Sequence, residues 1–354
     1  MGIYVHDKPT KSFNPVALPI MTTLAVAEGP YPTYWRSVRP TVTKTTVTLP
    51  APLHVMINGK SYTTNADVTL NVSSVGNATA RAAKDVYIYA VEPTTGIVPE
   101  FVLSLNSTTP SGYNANNSRK IGGFHCLCAD VGTIDGHTLS AYVAGDILPA
   151  SIWDLLHRPK SEPEGMVYIE EADIWVDIYL ASYDSTKLCS IFGGECADGA
   201  STVKFHGEKF NEEFAKVKKF NIPRDKFVVA AWGSNNRTAI SGAKDWGTTG
   251  GHVDTANRRM ISNWGLEDMC GFMWQWCEWA GAGGSSWGSS TYNSAVDPEA
   301  YGSTYGNLYR LRAGGRWADS SCCGPRCVSL HYVSAHVYAD HGGRGASEPR
   351  TRFV

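Results

Sequence analysis

Three cysteines near the carboxyl end have the side chains best suited to nucleophilic or metal chemistry in this sequence. Cys322, Cys323 and Cys327 lie close together, and further cysteines are spread along the chain to a total of nine. A thiol that acts as a nucleophile or metal ligand needs a lowered pKa and a partner at a fixed distance. The nine cysteines include no paired CxxC spacing, so we expect no zinc site and mostly free, buried thiols.

Clusters of charged residues offer the other candidate chemistry. Glu170–Glu171, with Asp173 and Asp177, could form a carboxylate pair or cation site, but alternating strand positions favour a solvated edge. We expect Arg258–Arg259 to form a structural salt bridge, and His252 to be a loop residue or to begin a helix rather than to act as a general base. The sequence has no GxxxxGK loop, no GxSxG elbow and no HExxH motif. It therefore predicts no catalytic residue, no metal and no cofactor, and the protein is expected not to be an enzyme.

Composition and charge exclude several classes of partner. The 354 residues carry a formal net charge of −2, so no basic excess favours nucleic acid. No apolar run is long enough to span a bilayer, and the first residues lack a signal-peptide pattern, so neither membrane insertion nor export is expected. With 35 glycines, 11 tryptophans and 18% charged residues, the sequence favours a loop-rich β protein.

Residues 1–156 are predicted to form a β-rich N-terminal module. Residues 41–49 alternate in the manner of a strand, and Asn58–Gly59 separates two strand-like runs as in a tight hairpin. Residues 86–105 predict a second hairpin. Residues 157–165 (HRPKSEPEG) are polar and contain two prolines, which indicates a linker to a second domain that spans residues 166–354.

The first part of this second domain is predicted to contain strands and one clear helix. Residues 166–182 predict two short strands. Residues 209–220 predict an amphipathic helix with acidic residues in its first turn and lysines in its last, which Pro223 ends. The apolar run at 226–232 predicts a buried strand.

The middle of the second domain combines turns with a distinctive aromatic pattern. Asp254 is expected to cap a short helix over residues 256–262. Aromatic residues alternate with other types in 272–277 (FMWQWC), which predicts a strand with one aromatic face. Residues 281–290 (GAGGSSWGSS) show no regular periodicity and are expected to form a flexible loop.

Two segments resemble the formylglycine-generating-enzyme branch of the C-type-lectin fold. Residues 265–276 (GLEDMCGFMWQW) are similar to its G-x-x-D-M-x-G-x-V-W-E-W signature, and RAGGRW from Arg312 is similar to the R-G-G-S-W of its ending. The resemblance implies an α+β protein whose C-type-lectin-like domain has an irregular antiparallel sheet and two helices. It leaves open a thiol oxidase of the formylglycine-generating type, although Cys322, Cys323 and Cys327 lie out of register with the reactive pair of that enzyme.

A closer resemblance is to the variable proteins of diversity-generating retroelements, the group of the phage major tropism determinants. It implies a variable region at about residues 314–345 that is held by a surrounding framework. The asparagines of the family's template fall on ten positions, namely Arg316, Ala318, Asp319, Cys322, Ser329, His331, Tyr332, His336, Tyr338 and Asp340. The framework positions are Trp274, Trp276, Trp317, Gly324, Arg326 and Arg344, with tight turns expected at Gly324 and at 342–345.

The composition of this region offers a check on the resemblance. In the family, template adenines are replaced, so rewritten asparagine codons cannot encode Lys, Glu, Gln, Met or Trp. Residues 311–347 contain no Lys, Glu, Gln or Met, and their one Trp, Trp317, occupies a framework position. The alternative is that 311–347 is merely a loop region rich in Gly, Ser and Cys.

The resemblance implies a diversified receptor-binding protein at the tip of a phage tail fibre, present in the virion or in the host cytoplasm before assembly. Its partner would be a protein or glycan on a target cell, and the N-terminal module would attach to tail-fibre proteins. Homotrimers and monomers both occur in the family, and the sequence leaves both open.

The side chains expected to dominate binding are Tyr332, Tyr338, His336 and Arg316. Titration of His331 and His336 near neutral pH would make binding pH-sensitive. A purely structural fibre protein is a third reading.

Overall fold

The computed structural model of the protein describes residues 40–242, 248–288 and 304–350. In these ranges the chain is built mostly from antiparallel strands with few helices, which confirms the expected α+β class. Residues 1–39, which belong to the predicted N-terminal module, lie outside the described residues. None of the helices in the described ranges has the length and apolar character needed to cross a bilayer.

The N-terminal part consists of short strands in three groups. The strands are β1 (Thr41–Val42), β2 (Thr46–Leu49), β3 (Leu53–Ile57), β4 (Lys60–Thr64), β5 (Val68–Asn71), β6 (Asp85–Val91), β7 (Glu100–Ser104), β8 (Ser118–His125) and β9 (Trp153–Asp154). One short helix, α1 (Ala78–Arg81), lies between β5 and β6. The strands form a β1-β2-β5 sheet, a β3-β4 hairpin and a β7-β6-β8-β9 sheet.

Both predicted hairpins of this part are confirmed. The β3–β4 hairpin turns at Asn58 and Gly59, whose φ angles are 46° and 78°. Two consecutive positive φ angles give the turn a twist that matches the flanking strands, and Asn-Gly tolerates them best. β6 and β7 form the second hairpin. Buried residues of both hairpins, such as Val55 and Ile88, share one core with the β1-β2-β5 sheet, as expected of a sandwich-like module.

The C-terminal part combines two four-stranded sheets with two helices. Its strands are β10 (Met166–Ile169), β11 (Ile174–Asp177), β12 (Ser182–Tyr183), β13 (Leu188–Cys189), β14 (Phe220–Asn221), β15 (Trp274–Gly288), β16 (Thr304–Gly314), β17 (Gly324–Ser329), β18 (His341–Gly343) and β19 (Gly345–Ser347). Its helices are α2 (Gly207–Lys216) and α3 (Arg224–Ala230). The sheets have the orders β10-β11-β19-β14 and β17-β16-β15-β18, and β12 pairs with β13.

Helix α2 is the amphipathic helix that the sequence predicts. Phe210 and Phe214 lie on its buried face, four residues apart, where α-helical periodicity aligns them. It ends before the predicted residue 220, because Lys218 adopts a positive φ of 59° and the chain then enters β14. The two strands predicted in 166–182 are confirmed as β10 and β11.

The strand predicted at 226–232 is wrong, since these residues lie mostly in helix α3. Pro223 precedes the first helical residue of α3 instead of ending α2, a position where its missing N–H costs nothing. Phe227 and Ala230, three residues apart, form the buried face. A short apolar run is compatible with a buried strand and with a buried helix, so periodicity alone cannot separate them.

The helix predicted at 256–262 is also wrong. The Asp254 carboxylate accepts hydrogen bonds from the backbone N–H groups of Ala256 and Arg258 at 2.9 and 3.0 Å. The backbone N–H of Asn257 donates to the Asp254 carbonyl, which closes a tight turn. The capping side chain was therefore identified correctly, but it stabilises a turn rather than a helix.

The glycine-rich segment 281–290 is not a flexible loop as far as the structure describes it. Up to Gly288 it belongs to β15, which pairs with β16 along most of its length. Glycines have no side chains, so they cannot show the alternation of apolar and polar residues by which a strand is recognised in a sequence. The main-chain hydrogen bonds of this strand therefore left no period-2 pattern in the sequence. At the start of β15 both faces are buried, because Gln275 and Cys277 are as inaccessible as Trp276.

The predicted linker, 157–165, lies against the last strand of the chain. Pro159 forms an isolated bridge with Pro349, and the Lys160 N–H donates to the Glu348 carbonyl at 2.9 Å. Residues on both sides of this segment share one core cluster, in which Leu127 and Leu148 pack with residues such as Val167. The two parts are thus joined by contacts as well as by the connecting chain.

Candidate ligand-binding face

A buried arginine ties together the strands beneath the variable region. Arg344 is fully buried, and its guanidinium donates to the backbone carbonyls of Asp177, Ile178 and Glu267 at 2.5 to 2.7 Å. Its Nε donates to the Gln275 Oε1 at 2.9 Å. Five planar N–H groups can satisfy several carbonyls at once, which a lysine cannot do. Arg344 therefore fixes β11, β15 and the start of β19 relative to one another, which agrees with its expected framework position.

Two framework glycines have no room for a side chain. At Gly314, φ is 92° and an added Cβ would lie 2.5 Å from the Met269 carbonyl oxygen. At Gly343, an added Cβ would lie 2.5 Å from the Phe210 ring. The tight turn expected at 342–345 is not present, because the three glycines belong to β18 and β19, with only Arg344 between the strands, and all four residues are buried. The glycines there serve close packing rather than a reversal of the chain.

The other expected framework residues are buried or partly buried, except one, and Gly324 lies in a strand ladder rather than in the expected tight turn. Trp276 is fully buried, Trp274 is nearly so, Trp317 packs partly buried against the cluster of Phe272, and Gly324 lies opposite Gly314 in the β16–β17 ladder. Arg326 differs, because it is exposed on β17. Its guanidinium was expected to cap buried carbonyls, and in the structure Arg344 does so instead.

The ten predicted variable positions, called the variable face from here on, lie on one stretch of β17 and the loops that flank it. Ala318, Cys322, His331 and Tyr338 are exposed; Arg316, Asp319, Ser329, Tyr332 and His336 are half-buried; Asp340 is buried. Framework side chains of β15, β16 and β18 lie directly beneath, as the following contacts show.

Aromatic side chains form a continuous row across the variable face. The Tyr332 ring centroid lies 4.1 Å from that of His331 and 4.6 Å from that of His336. The His336 ring lies 4.2 Å from the Tyr338 ring, which is 48% exposed. The structure thus brings four of the predicted residues into one patch, although Tyr332 and His336 are only partly accessible.

An ion pair joins the two ends of the variable face. The Arg316 guanidinium binds the Asp340 carboxylate, and its Nε lies 3.5 Å from Asp319 Oδ1. The Asp340 Oδ1 lies 3.0 Å from His341 Nδ1. Asp340 was expected to be displayed, but it is only 6% exposed, because it is covered by these partners. Asp340 therefore holds neighbouring side chains of the patch in position, and little of it is exposed to a ligand.

Sequence reasoning missed two residues at the centre of the patch. Arg312 is buried, with its guanidinium carbon 3.9 Å from the Tyr332 ring centroid and 4.9 Å from that of Trp274. His341 stacks on Trp276, with centroids 5.2 Å apart and an angle of 20°. Arg312 begins the RAGGRW motif, so its presence was visible, but only the β16–β17 register shows that it faces Ser329.

Burial and the arginine charge control protonation in the patch. Burial, together with the Arg312 charge, lowers the pKa of His341 to about 4, although Asp340 opposes the shift. The same two causes lower the pKa of His336. For Asp340, burial favours the neutral acid, but hydrogen bonds from His341 and Arg316 hold its pKa well below the usual range. His336 therefore titrates further from neutral pH than expected and is uncharged at pH 7.

The thiols of this region are unsuited to oxidase chemistry. Burial raises the pKa of Cys323 to about 12 and that of Cys327 to about 11. Cys323 donates to the Arg316 carbonyl at 3.2 Å. A thiol that must react as the thiolate needs the opposite shift. All nine cysteines are free, and nothing here supports the formylglycine-generating-type oxidase that the sequence left open.

The remaining candidate residues have structural partners. Arg259 forms the expected salt bridge, with Nη2 2.7 Å from Glu267 Oε1. Asp177 is not on a solvated edge, since it is buried and lies 2.6 Å from Lys219 Nζ. His252 bonds the Asp268 carboxylate at 2.9 Å. Among the described residues, no group of three or more His, Cys, Asp or Glu side chains is arranged to hold a metal ion.

Comparisons with known proteins agree with this fold. Residues 38–154 match the family model described as the Mtd second domain. The tail fiber receptor-binding protein of Bordetella phage BPP-1 is 27% identical over 328 residues, which cover 86% of this chain and 80% of that protein. The structure of the major tropism determinant I1 variant is 25% identical, with a TM-score of 0.69, and the match covers 88% of this chain and 84% of that one. The structure of the U1 variant is 24% identical, with a TM-score of 0.71 and the same coverage of both chains.

The fold and these matches define the class to which the protein is similar: receptor-binding proteins of phage tail fibres with a β-rich N-terminal part and a C-type-lectin-like fold. Within that class the protein is similar to the major tropism determinants, and residues 38–154 correspond to their second domain.

Proposed function

We propose that the variable face binds a protein or glycan receptor on the surface of a target cell. The observation that supports this proposal is the aromatic patch of His331, Tyr332, His336 and Tyr338, four of the expected variable positions, which lies against the buried His341. The aromatic row of Tyr332, His336 and Tyr338 supplies rigid, amphipathic contact area, as tyrosines do in antibody loops. With Arg316, these residues are the proposed hot spots.

The separation between face and framework explains how such a surface can change. Substitutions at exposed positions alter the free energy of unfolding by only a few tenths of a kcal/mol. Replacing a buried tryptophan, or a buried arginine that donates to several carbonyls, lowers it much more. Here the framework groups Trp276, Arg344 and Gly314 lie beneath the face and take no part in its outer surface. Many side-chain combinations can therefore be displayed on the same backbone.

The rest of the proposal concerns placement in the phage. By similarity to the tail fiber receptor-binding protein, residues 166–354 would form the receptor-binding domain at a fibre tip in the virion. Residues 1–156 would form the attachment module, and 157–165 the connection. A homotrimer would present three copies of the face and raise avidity without new contacts; analytical ultracentrifugation of the full chain tests this.

Two experiments test the binding function. Flanking DNA is expected to hold a near-repeat of the codons for 314–345 beside a reverse transcriptase gene, with mismatches only at template adenines.

The combined change of Tyr332, His336 and Tyr338 to Ala is expected to lower adsorption to target cells at least tenfold. The matched control is Ile97→Ala with Val98→Ala, two exposed apolar residues of the N-terminal module. Unchanged adsorption by a folded triple variant would indicate a purely structural fibre protein.

A further inference from the structure

One buried arginine beneath the variable face lacks the partners that the other buried arginines have. Arg259 and Arg310 each lie 2.7 Å from a glutamate oxygen, and Arg344 donates to four acceptors. Arg312 is only 3% exposed, and its one hydrogen bond, at 2.8 Å, goes to the Ser329 hydroxyl. No carboxylate of a described residue lies within 4.0 Å of its nitrogens. Arg312 is thus a desolvated cation without a carboxylate in direct contact: burial lowers its pKa, and the more distant Asp340 and Asp319 only partly oppose that shift.

The surroundings of Arg312 stabilise its faces but not its edge. Rings of Tyr332, Trp274 and Trp276 lie 3.9, 4.9 and 5.9 Å from the guanidinium carbon. Such contacts attract the π-face of the cation, while the N–H groups point out of its edge in the guanidinium plane. The Arg312 Nε is buried and has no hydrogen-bond partner. The N–H edge is therefore the unsatisfied part of this side chain.

Another nitrogen of the same patch is also unsatisfied. His336 Nε2 is buried and lacks a hydrogen-bond partner. His336 and His341 both sense the Arg312 charge, which places them within electrostatic reach of it. A neutral imidazole can offer an N–H from either nitrogen. The patch thus offers the Arg312 Nε–H and a neutral His336 imidazole as possible donors around one positive charge.

We propose that Arg312 is a fixed anion-recognition centre beneath the variable face, and that ligands of this protein present a carboxylate to it. A carboxylate matches the guanidinium edge with two parallel hydrogen bonds and supplies the missing counter-charge. When a ligand carboxylate pairs with this buried guanidinium, the charge is no longer unpaired. Such a contact strengthens binding more than a contact at the exposed rim would. This inference rests on the proposed binding function but not on a particular receptor.

Diversification would then tune access to a constant charge. Ser329 and Tyr332, the hydroxyl partner and the covering ring, are both rewritable positions, whereas Arg312 lies outside the rewritten set. Different variants of the face would open or cover the N–H edge in different ways while each kept the same preference for an acidic group. The carboxylate itself could come from a sugar acid or from an acidic side chain.

Selective labelling of arginine Nε with nitrogen-15 in the full chain gives a direct test. Sodium acetate is expected to shift the Arg312 Nε–H resonance in a saturable manner, whereas acetamide, its neutral isostere, at equal ionic strength leaves the resonance unchanged. The resonance is assigned by its loss in Arg312→Lys. Glucuronate and N-acetylglutamate then separate the two sources, and the one that binds more tightly identifies the source.

The matched control is Arg326→Gln, which removes an exposed arginine of the neighbouring strand and is expected to leave the acetate response intact. Calorimetric titration with sodium acetate is expected to show binding to Arg312→Gln that is weakened at least tenfold. An Arg312 resonance that acetate does not move, or that acetamide moves equally, would overturn the proposal without need of any variant. If the triple variant of Tyr332, His336 and Tyr338 still loses cell adsorption in that case, the binding function stands and only the carboxylate preference fails.

Discussion

The guanidinium carbon of Arg312 lies 3.9 Å from the centroid of the Tyr332 ring, so a buried cation directly contacts an aromatic residue of the proposed variable face. Under the proposed function, this contact lies at the boundary between the part of the domain that stays constant and the part that varies. On the inner side lie β15, β16 and the Arg344 hydrogen bonds; on the outer side lie Tyr332, His336 and Tyr338. The predictions below test that boundary.

The outer and inner aromatic residues are expected to differ sharply in their contribution to stability. Tyr338→Ala removes a ring that is half in solvent and is expected to lower the free energy of unfolding by less than about 1 kcal/mol. Trp276→Ala empties a fully buried site and is expected to cost about 3–5 kcal/mol. Urea unfolding of both variants measures the difference. Equal losses would mean that the face is part of the core.

The two buried arginines of the region provide a second contrast. Arg344→Met removes the hydrogen bonds that Arg344 donates to three backbone carbonyls and to the Gln275 amide oxygen, and is expected to lower the free energy of unfolding by about 3 kcal/mol or more. Arg312→Met removes an unpaired buried cation and fills a similar volume, so its cost is expected to stay below about 1 kcal/mol. Chemical denaturation of both variants measures the two losses of unfolding free energy. A loss above about 1 kcal/mol for Arg312→Met would show that the ring contacts of Arg312 stabilise the fold more than its desolvation destabilises it.

Much of the fold was predictable because its signals are local. The Asn58–Gly59 turn, the amphipathic spacing of Phe210 and Phe214 and the strands in 166–182 each depend on near neighbours in sequence. The strand at 226–232 and the loop at 281–290 were wrong for the same reason: a short apolar run and a run of glycines carry no periodicity, and tertiary packing decides their conformation.

The candidate site was predictable as a set of positions but not as a geometry. The resemblance placed Tyr332, His336 and Tyr338 on one surface, which the structure shows as a continuous row. It did not reveal that Asp340 is covered by Arg316, or that Arg312 lies under Tyr332. Those facts arise from the register of β16 with β17 and from the course of the loop before β18, and neither is encoded by local spacing.

Gly314 is expected to tolerate no side chain. Gly314→Ala would combine a φ of 92° with a Cβ only 2.5 Å from a backbone oxygen that cannot move away freely, so a loss of at least about 3 kcal/mol is expected. Gly193→Ala is the matched control, since Gly193 also has a positive φ, of 68°, but nothing lies within 4 Å of the added Cβ. Its cost is expected to be only about 1–2 kcal/mol. Thermal unfolding that ranked the two alike would argue against the close approach at Gly314.

The thiols are expected to react in the order of their exposure. Cys322 is exposed, whereas Cys270 and Cys277 are fully buried, with pKa values raised by that burial. Iodoacetamide at pH 8 is therefore expected to modify Cys322 first and to leave Cys270 and Cys277 unmodified until the protein unfolds. Mass spectrometry of peptides taken at successive times measures the order. Rapid modification of Cys323 or Cys327 would reopen the question of a reactive thiol.

Stability is expected to fall as the pH is lowered from 6.5 to 4. Burial holds the pKa of His341 at about 4 in the folded state, below the value near 6.5 expected when unfolded. In this window the unfolded chain binds the proton that the folded chain refuses, so acid favours unfolding, by about 2–3 kcal/mol for His341 alone. His341→Phe keeps a ring over Trp276 and is expected to reduce the slope of unfolding free energy against pH. His336 and His137, whose pKa values are also lowered, contribute to the slope that remains, and His252, whose pKa is raised, opposes it. An identical slope in His341→Phe and the unmodified protein, measured by urea unfolding at half-unit pH steps, would show that His341 is not held neutral by its burial.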